Sequence, residues 1–293
     1  FADWALANVL QSLGRGEGVY QYQSTAFAAM NPQMFGEMPW AQTHSDTVHQ
    51  YGTDYFNISS PNPVTVVFTG TQQVKLVDAL PHSGDYFYAS LPADESEMSL
   101  TRAFDLTGLE KATLTFWTWY DIEAGWDYAY VAVSADDGRS WQLLSTDTTT
   151  LDNPQGNSLG AGYTGISGGG ETAVWQQETT DLTPFAGQKI LLRFLALTDG
   201  ALTEQGFLVD DIAIPELNYQ DDAEQPGQWT EAGILRVTNT LPQSFIVQRV
   251  LVGFEGIQIE RLPLDENQHG EWLFPMDRNH SEAILVVSGS TPV

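Results

Sequence analysis

The 293-residue chain contains no cysteine. Disulfides, thiolate metal sites and thiol catalysis are therefore excluded. Cationic side chains are scarce: 11 Lys and Arg stand against 38 Asp and Glu, a formal net charge of −27. Such a surface repels nucleic-acid phosphates and anionic lipid headgroups. It suits divalent cations or a basic partner. No run of 18 apolar residues occurs, so no membrane-inserting helix is expected.

Catalytic motifs are missing as well. The histidines are His44, His49, His82, His269 and His280, and none lies in a His-Glu-x-x-His. That helical pattern gives a zinc peptidase two imidazoles and a glutamate base. A spacing of five on an extended segment points His44 and His49 to opposite faces. Gly165, Ser167 and Gly169 have the Gly-x-Ser-x-Gly spacing, but no strand-to-helix turn follows, so no nucleophile elbow is expected. "GISGGG" at 165–170 reads as a flexible loop, because no Gly-Lys-Ser/Thr follows it. Paired carboxylates also suit glycoside hydrolysis, but 38 acids generate pairs by chance.

What the chain does have is apolar and aromatic content, 42% and 12%, enough for two packed domains. Residues 2–13 read as one helix, with Trp4, Leu6, Ala7, Val9, Leu10 and Leu13 apolar and Gly14 and Gly16 ending it. "FADWALANVL" lacks the basic leader of a signal peptide and opens as if inside a helix, which predicts a longer precursor. Residues 1–46 thus form a helix and an extended docking segment. Its apolar part, 26–42, is expected to dock on an upstream domain or to mediate self-association.

From 47 onward the pattern is β. Residues 47–80 hold the short strands "VTVVFTG" and "QQVKLVD". Residues 81–216 hold eight strands separated by turn signals, among them Asp136-Asp137-Gly138 and Asp199-Gly200. Eight strands with almost no helix predict a two-sheet jelly roll. Residues 217–293 offer about five more strands, with which the strands of 47–80 are expected to pair. The fold class is all-β: a jelly-roll sandwich inserted in, or followed by, a second β-sandwich.

The stretch "WYDIEAGWDYAYVAVSADDGRSW", Trp119 to Trp141, concentrates aromatic and acidic side chains. Calcium takes six to eight hard oxygens from carboxylates and carbonyls, and acids cluster at strand ends here. The candidate ligands are Asp94, Glu95, Glu123, Asp127, Asp210 and Asp211, beside Asp121. Neighbouring first and last strands would bring 94–95 to 210–211. The bland alternative is a solvated acidic rim. Trp117, Trp119, Trp126, Trp141 and Trp175 could stack a glycan, although aromatic stripes mostly fill sandwich cores. Asn57 and Asn279 open Asn-x-Ser sequons, which mark possible glycosylation.

"LTRAFDLTG", "ATLTFWTWYDIEAGWDYAYVAVSADDGRSW", "DLTPFAGQKILLRFLALTDG" and "GFLVDDIAIPEL", in that order, resemble the MAM-like β-sandwich of the immune inhibitor A family of secreted bacterial metallopeptidases. The resemblance covers about 81–216. It implies export to the cell surface or beyond, a jelly-roll accessory domain and calcium as cofactor. Glu123, Asp127 and Asp211 match the family's acidic positions. The family's zinc motif is absent, so peptidase activity is not expected of this chain. The expectation is a non-catalytic, calcium-stabilised structural or adhesion protein, a subunit of an extracellular assembly. The alternatives are an accessory region of an immune inhibitor A-like metallopeptidase, or a carbohydrate-binding module.

Overall fold

The computed structural model describes residues 2–12, 34–35, 43–254, 256–277 and 279–290. Helix α1 (Ala2–Ser12) precedes strands β1 (Met34–Phe35), β2 (Thr53–Ile58), β3 (Val64–Thr69) and β4 (Gln73–Lys75). Next come β5 (Tyr86–Ala89), β6 (Glu97–Asp105), β7 (Thr113–Asp121), β8 (Tyr128–Ser134), β9 (Gln142–Leu144) and β10 (Gln176–Asp181). They are followed by β11 (Lys189–Leu197), β12 (Gly206–Ile214), β13 (Tyr219–Asp221), β14 (Thr230–Ala232) and β15 (Leu235–Thr238). The last are β16 (Thr240–Pro242), β17 (Phe245–Gly253), β18 (Gly256–Leu262), β19 (His269–Phe274) and β20 (His280–Gly289). The all-β class read from the sequence is the class observed.

The chain divides into two compact units, one of Phe1–Val74 with Thr240–Val293 and one of Lys75–Asn239. In the second unit, the sheet β10-β7-β12-β5-β15, with β13 on β12, faces the sheet β14-β6-β11-β8-β9. Period-2 alternation makes this sandwich. Leu114 and Phe116 of β7, Val131 and Val133 of β8, Leu192 and Phe194 of β11, and Phe207 and Val209 of β12 fill the space between the sheets.

The outer face of the first sheet is also covered. Trp119 packs there with Phe87, Leu208, Val77 and Ala79. Trp117 shares that face and stacks on His82, ring centroids 3.8 Å apart. These tryptophans therefore lie outside the inter-sheet core that the sequence had suggested for them. Asn239 clamps the covering segment: its Oδ1 accepts from the Leu76 and Val77 amides (3.2 and 3.0 Å), and its Nδ2 donates to the carbonyls of Val77 and Ala79.

The sequence reading ended the jelly roll at 216, whereas the unit runs to Asn239. The difference comes from β13, β14 and β15, which add to β12, β6 and β5. Three or four residues each are too few to show which sheet they join.

In the other unit, β2, β20, β17 and β18 form an antiparallel sheet. Ala5, Leu6, Val9 and Leu10 of α1 bury Tyr55, Val250, Ile284 and Val286 on one face. The Tyr55 hydroxyl donates to the Ala5 carbonyl (2.9 Å). The opposite face meets Val66 of β3 and Phe274 of β19, and these two strands pair with each other. Of the docking segment 26–42, only Met34–Phe35 is described, paired in parallel with Tyr55–Phe56. The remainder lies outside the described residues.

Candidate metal centre

The acidic centre forms where β7 turns into β8. The amides of Trp126 and Asp127 both donate to the Glu123 carbonyl (3.3 and 3.0 Å), which makes a tight turn. Gly125 takes φ 78° there, and an added Cβ would come within 2.8 Å of the Pro154 ring. Only glycine meets both conditions at low cost. The turn sets Glu123 and Asp127 on the same side and leaves Trp126 exposed.

Strand pairing brings the third acid. β11 runs antiparallel to β8, with Leu197 opposite Tyr128. The residues just after Leu197 therefore lie beside those just before Tyr128. The Asp199 amide donates to Asp127 Oδ1 (2.9 Å). The loop before β6 is fastened to the same place: the Glu95 amide donates to the Asp199 carbonyl (2.7 Å), and Thr198 Oγ1 donates to the Ala93 carbonyl (2.6 Å). Asn157 Nδ2 bridges the Trp126 carbonyl (3.3 Å) and Asp199 Oδ2 (3.4 Å).

Glu123, Asp127 and Asp199 each offer an oxygen, and the three oxygens lie within 4.8 Å of one another. Asp127 is buried and the other two are half-buried. Desolvation, and then the charges of Asp199, Asp127 and Glu204, raise the Glu123 pKa. Asp127 is raised by burial first, with the charges of Asp199 and Asp94 adding to it against two backbone hydrogen bonds. No ion pair among the described residues includes any of the three. The adjoining cavity, lined by Ser90, Ile122, Asp127, Tyr128 and Gly206, holds about 10 Å³. That is room for one water at most and far below an organic ligand's volume.

The six sequence candidates separate. Glu123 and Asp127 meet. Asp94 is exposed and reaches Asp127 through its charge, while Glu95 is exposed and lies over Gly200. Asp210 and Asp211 do not join them, so the expected meeting of 94–95 with 210–211 is corrected. Gly206 pairs with Asp121 beside the centre, but Asp210 pairs with Trp117, four residues or about 13 Å further along β12.

Asp210 and Asp211 are committed elsewhere. Asp210 Oδ2 accepts from the His82 and Ser83 amides (3.0 and 3.2 Å). Asp211, at φ 47° in an irregularity of β12, accepts from His82 Nδ1 (2.5 Å) and Ser83 Oγ (2.9 Å). Burial pushes the Asp210 pKa up to about 7. Asp199, which sequence reasoning took only as part of a turn, is the member of the cluster that it missed.

The sequons differ in setting. Asn57 lies within β2, half-buried, with Nδ2 donating to Glu282 Oε1 (3.1 Å). Asn279 sits on an exposed turn. Asp136 is a turn residue, bonded by Ser134 and Ser140. No described helix is long and apolar enough to cross a membrane.

The profile of the family described as immune inhibitor A-like, MAM domain, matches residues 47–238. Pre-pro-metalloprotease PrtV of Vibrio cholerae serotype O1 is 31% identical over 157 residues, 53% of this chain and 16% of that protein. Immune inhibitor A of Bacillus thuringiensis subsp. alesti is 30% identical over 148 residues, 49% of this chain and 20% of that protein. The matched part is thus at most a fifth of each relative's length. The match extends over well more than half of the chain, from β2 through the jelly roll. The chain belongs to the immune inhibitor A-like MAM domain family.

Proposed function

We propose that this chain is a non-catalytic accessory region of an exported metallopeptidase precursor, and that calcium at Glu123, Asp127 and Asp199 holds its jelly roll together. The convergence of three carboxylates with no basic partner among the described residues carries the calcium reading. Oxygens up to 4.8 Å apart can touch one ion, because that span is twice a calcium–oxygen distance of about 2.4 Å. All the donors are hard oxygens, which favours calcium over zinc or copper.

The accessory reading rests on the family and on relatives whose names describe a metalloprotease precursor. Extracellular placement rests on the same relatives and suits calcium, which is plentiful outside cells. One ion would tie the β7–β8 turn to the end of β11, and so fasten one end of the sandwich. Melting the protein in calcium and in chelator tests the ion: a higher melting temperature in calcium is expected, and identical curves would leave a solvated acidic rim. Deleting 75–239 from the full-length precursor tests the role. Lost export or maturation with an intact upstream peptidase domain is expected. Normal export and activity would remove the accessory role.

A further inference from the structure

A cleft of about 490 Å³ opens in the unit that holds β17 and β20. That volume lies within the range of binding pockets. Among the described residues, its walls carry no lysine, arginine or histidine and no aromatic ring. Four glutamines line it instead, Gln72, Gln73, Gln243 and Gln268, with Pro242 beside them and Glu266 as the one charged group. Anions and large apolar ligands find nothing to pair with there.

The protein itself fixes two of these amides. Gln268 has φ 55°, in the left-handed region. Its amide donates to the Asp265 carbonyl (3.1 Å), and its carbonyl accepts from the Gly70 amide (2.9 Å). Its side-chain Oε1 accepts from the Phe245 amide (3.0 Å). Only Nε2, with two donors, is left without a partner among the described residues. Backbone strain held in place by this many bonds points to a use. Gln72 is its complement: Nε2 donates to Asn267 Oδ1 (2.8 Å), which leaves Oε1 as an acceptor.

Main-chain groups reach the same cleft. The Gln243 amide donates to the Gln72 carbonyl (2.9 Å), and the Leu76 amide to the Asn239 carbonyl (3.4 Å). These bonds make β4 and β16 antiparallel, and among the described strands the two pair only with each other. Alternation along the ladder then turns the main chain of Gln73 and Pro242 outward. Proline, which has no N–H to offer a ladder, suits that position.

We propose that this cleft binds a segment of unfolded polypeptide in extended form, through its backbone and with little regard to its side chains. A peptide group needs one donor and one acceptor, which Gln268 Nε2 and Gln72 Oε1 supply. The outward main chain of Gln73 and Pro242 adds bonds of the strand-addition kind. On the accessory reading, the cleft would hold substrate for the peptidase, but the binding itself stands without that reading.

The test is fluorescence anisotropy of dye-labelled, reduced and carboxamidomethylated α-lactalbumin, titrated with the whole chain in about 0.5 M sodium chloride to screen charge. The probe is unfolded and acidic, so attraction between opposite charges does not drive binding. Saturable binding is expected, and native α-lactalbumin is expected not to bind. Gln268→Glu keeps an oxygen for the Phe245 amide and removes the two donors. It should weaken binding about tenfold and leave melting unchanged. Gln73→Trp obstructs the cleft from an exposed position and should weaken binding as well. If Gln268→Glu fails to fold, Gln73→Trp decides. No binding, equal binding of native and unfolded probe, or full affinity in the folded variants overturns the proposal. The deletion of 75–239 that tests the accessory role does not enter this measurement, so the two can fail separately.

Discussion

The jelly roll buries carboxylates in two contrasting ways. Asp221 is 5% exposed, yet donors surround it: Trp229 Nε1 (2.7 Å), Tyr219 OH (3.0 Å), Tyr88 OH (3.3 Å) and the Ala223 amide (2.9 Å). Glu123, Asp127 and Asp199 face one another instead; the Asp199 amide donates to Asp127 (2.9 Å) and Asn157 Nδ2 reaches Asp199 at 3.4 Å. The first arrangement is complete within the protein. The second raises the pKa of two of its members, and the proposed calcium would relieve that repulsion. The number of acids in a region therefore says little about metal. What matters is whether the fold supplies donors to them.

The contrast can be broken most forcefully at Asp221. Replacing it with alanine strands the indole and two phenols in the core. Leaving buried donors unpaired costs about 1–3 kcal/mol each, so a total loss on the order of 3 kcal/mol is expected. Denaturant unfolding would read it, with the same loss in calcium and in chelator. A loss that appears only in calcium would show that the two places are one energetic unit.

At the acidic centre, Asp127→Asn should do the reverse. In calcium it melts well below the unaltered protein, because a ligand is gone. In chelator the two should converge, since the substitution also removes like-charge repulsion. Paired melts check this, and a deficit in chelator equal to that in calcium would make Asp127 a plain structural residue.

How much of this was legible beforehand follows from what a single strand can reveal. Alternation in "ATLTFWTWYDI" and "KILLRFLALT" shows strands, and Gly125-Trp126 shows a turn between acids. Asp127 could be proposed because it shares that turn with Glu123. Asp199 could not, since its place depends on β11 lying beside β8, and neighbour relations are not local. The same limit misdirected Asp210 and Asp211, which sit mid-sheet rather than at its end. The outer-face placement of Trp117 and Trp119 was hidden for another reason. Alternation assigns residues to two faces, but it does not say that 76–79 returns to cover the second one.

A smaller effect is expected from pH. Glu123, Asp127 and Asp210 have folded-state pKa values above their ordinary ones, Asp210 at about 7 against 3.8. Within such a window the folded state holds more protons than the unfolded chain, so stability falls as pH rises, then levels off. Without calcium, melting should decline as pH rises above the ordinary carboxylate range, with the Asp210 share levelling off near pH 7. With calcium bound, the share from Glu123 and Asp127 should vanish, leaving the slope due to Asp210. Melts across pH in calcium-free and calcium-containing buffer separate the shares. Equal slopes would sever these carboxylates from the ion.

The smallest change is expected at Trp126, which sits between Glu123 and Asp127 in sequence but is 40% exposed. Its backbone carbonyl accepts from Asn157, and any residue's carbonyl can do that. Trp126→Ala should therefore shift stability by about 0.5 kcal/mol or less and leave the calcium-dependent rise in melting intact. This insensitivity makes the variant informative. A glycan that stacked on the indole beside the ion would lose its affinity for the variant while the fold and the ion remained. Glycan binding that survives the substitution, or that is absent from the unaltered protein, would remove the carbohydrate reading and leave Trp126 as an exposed turn residue.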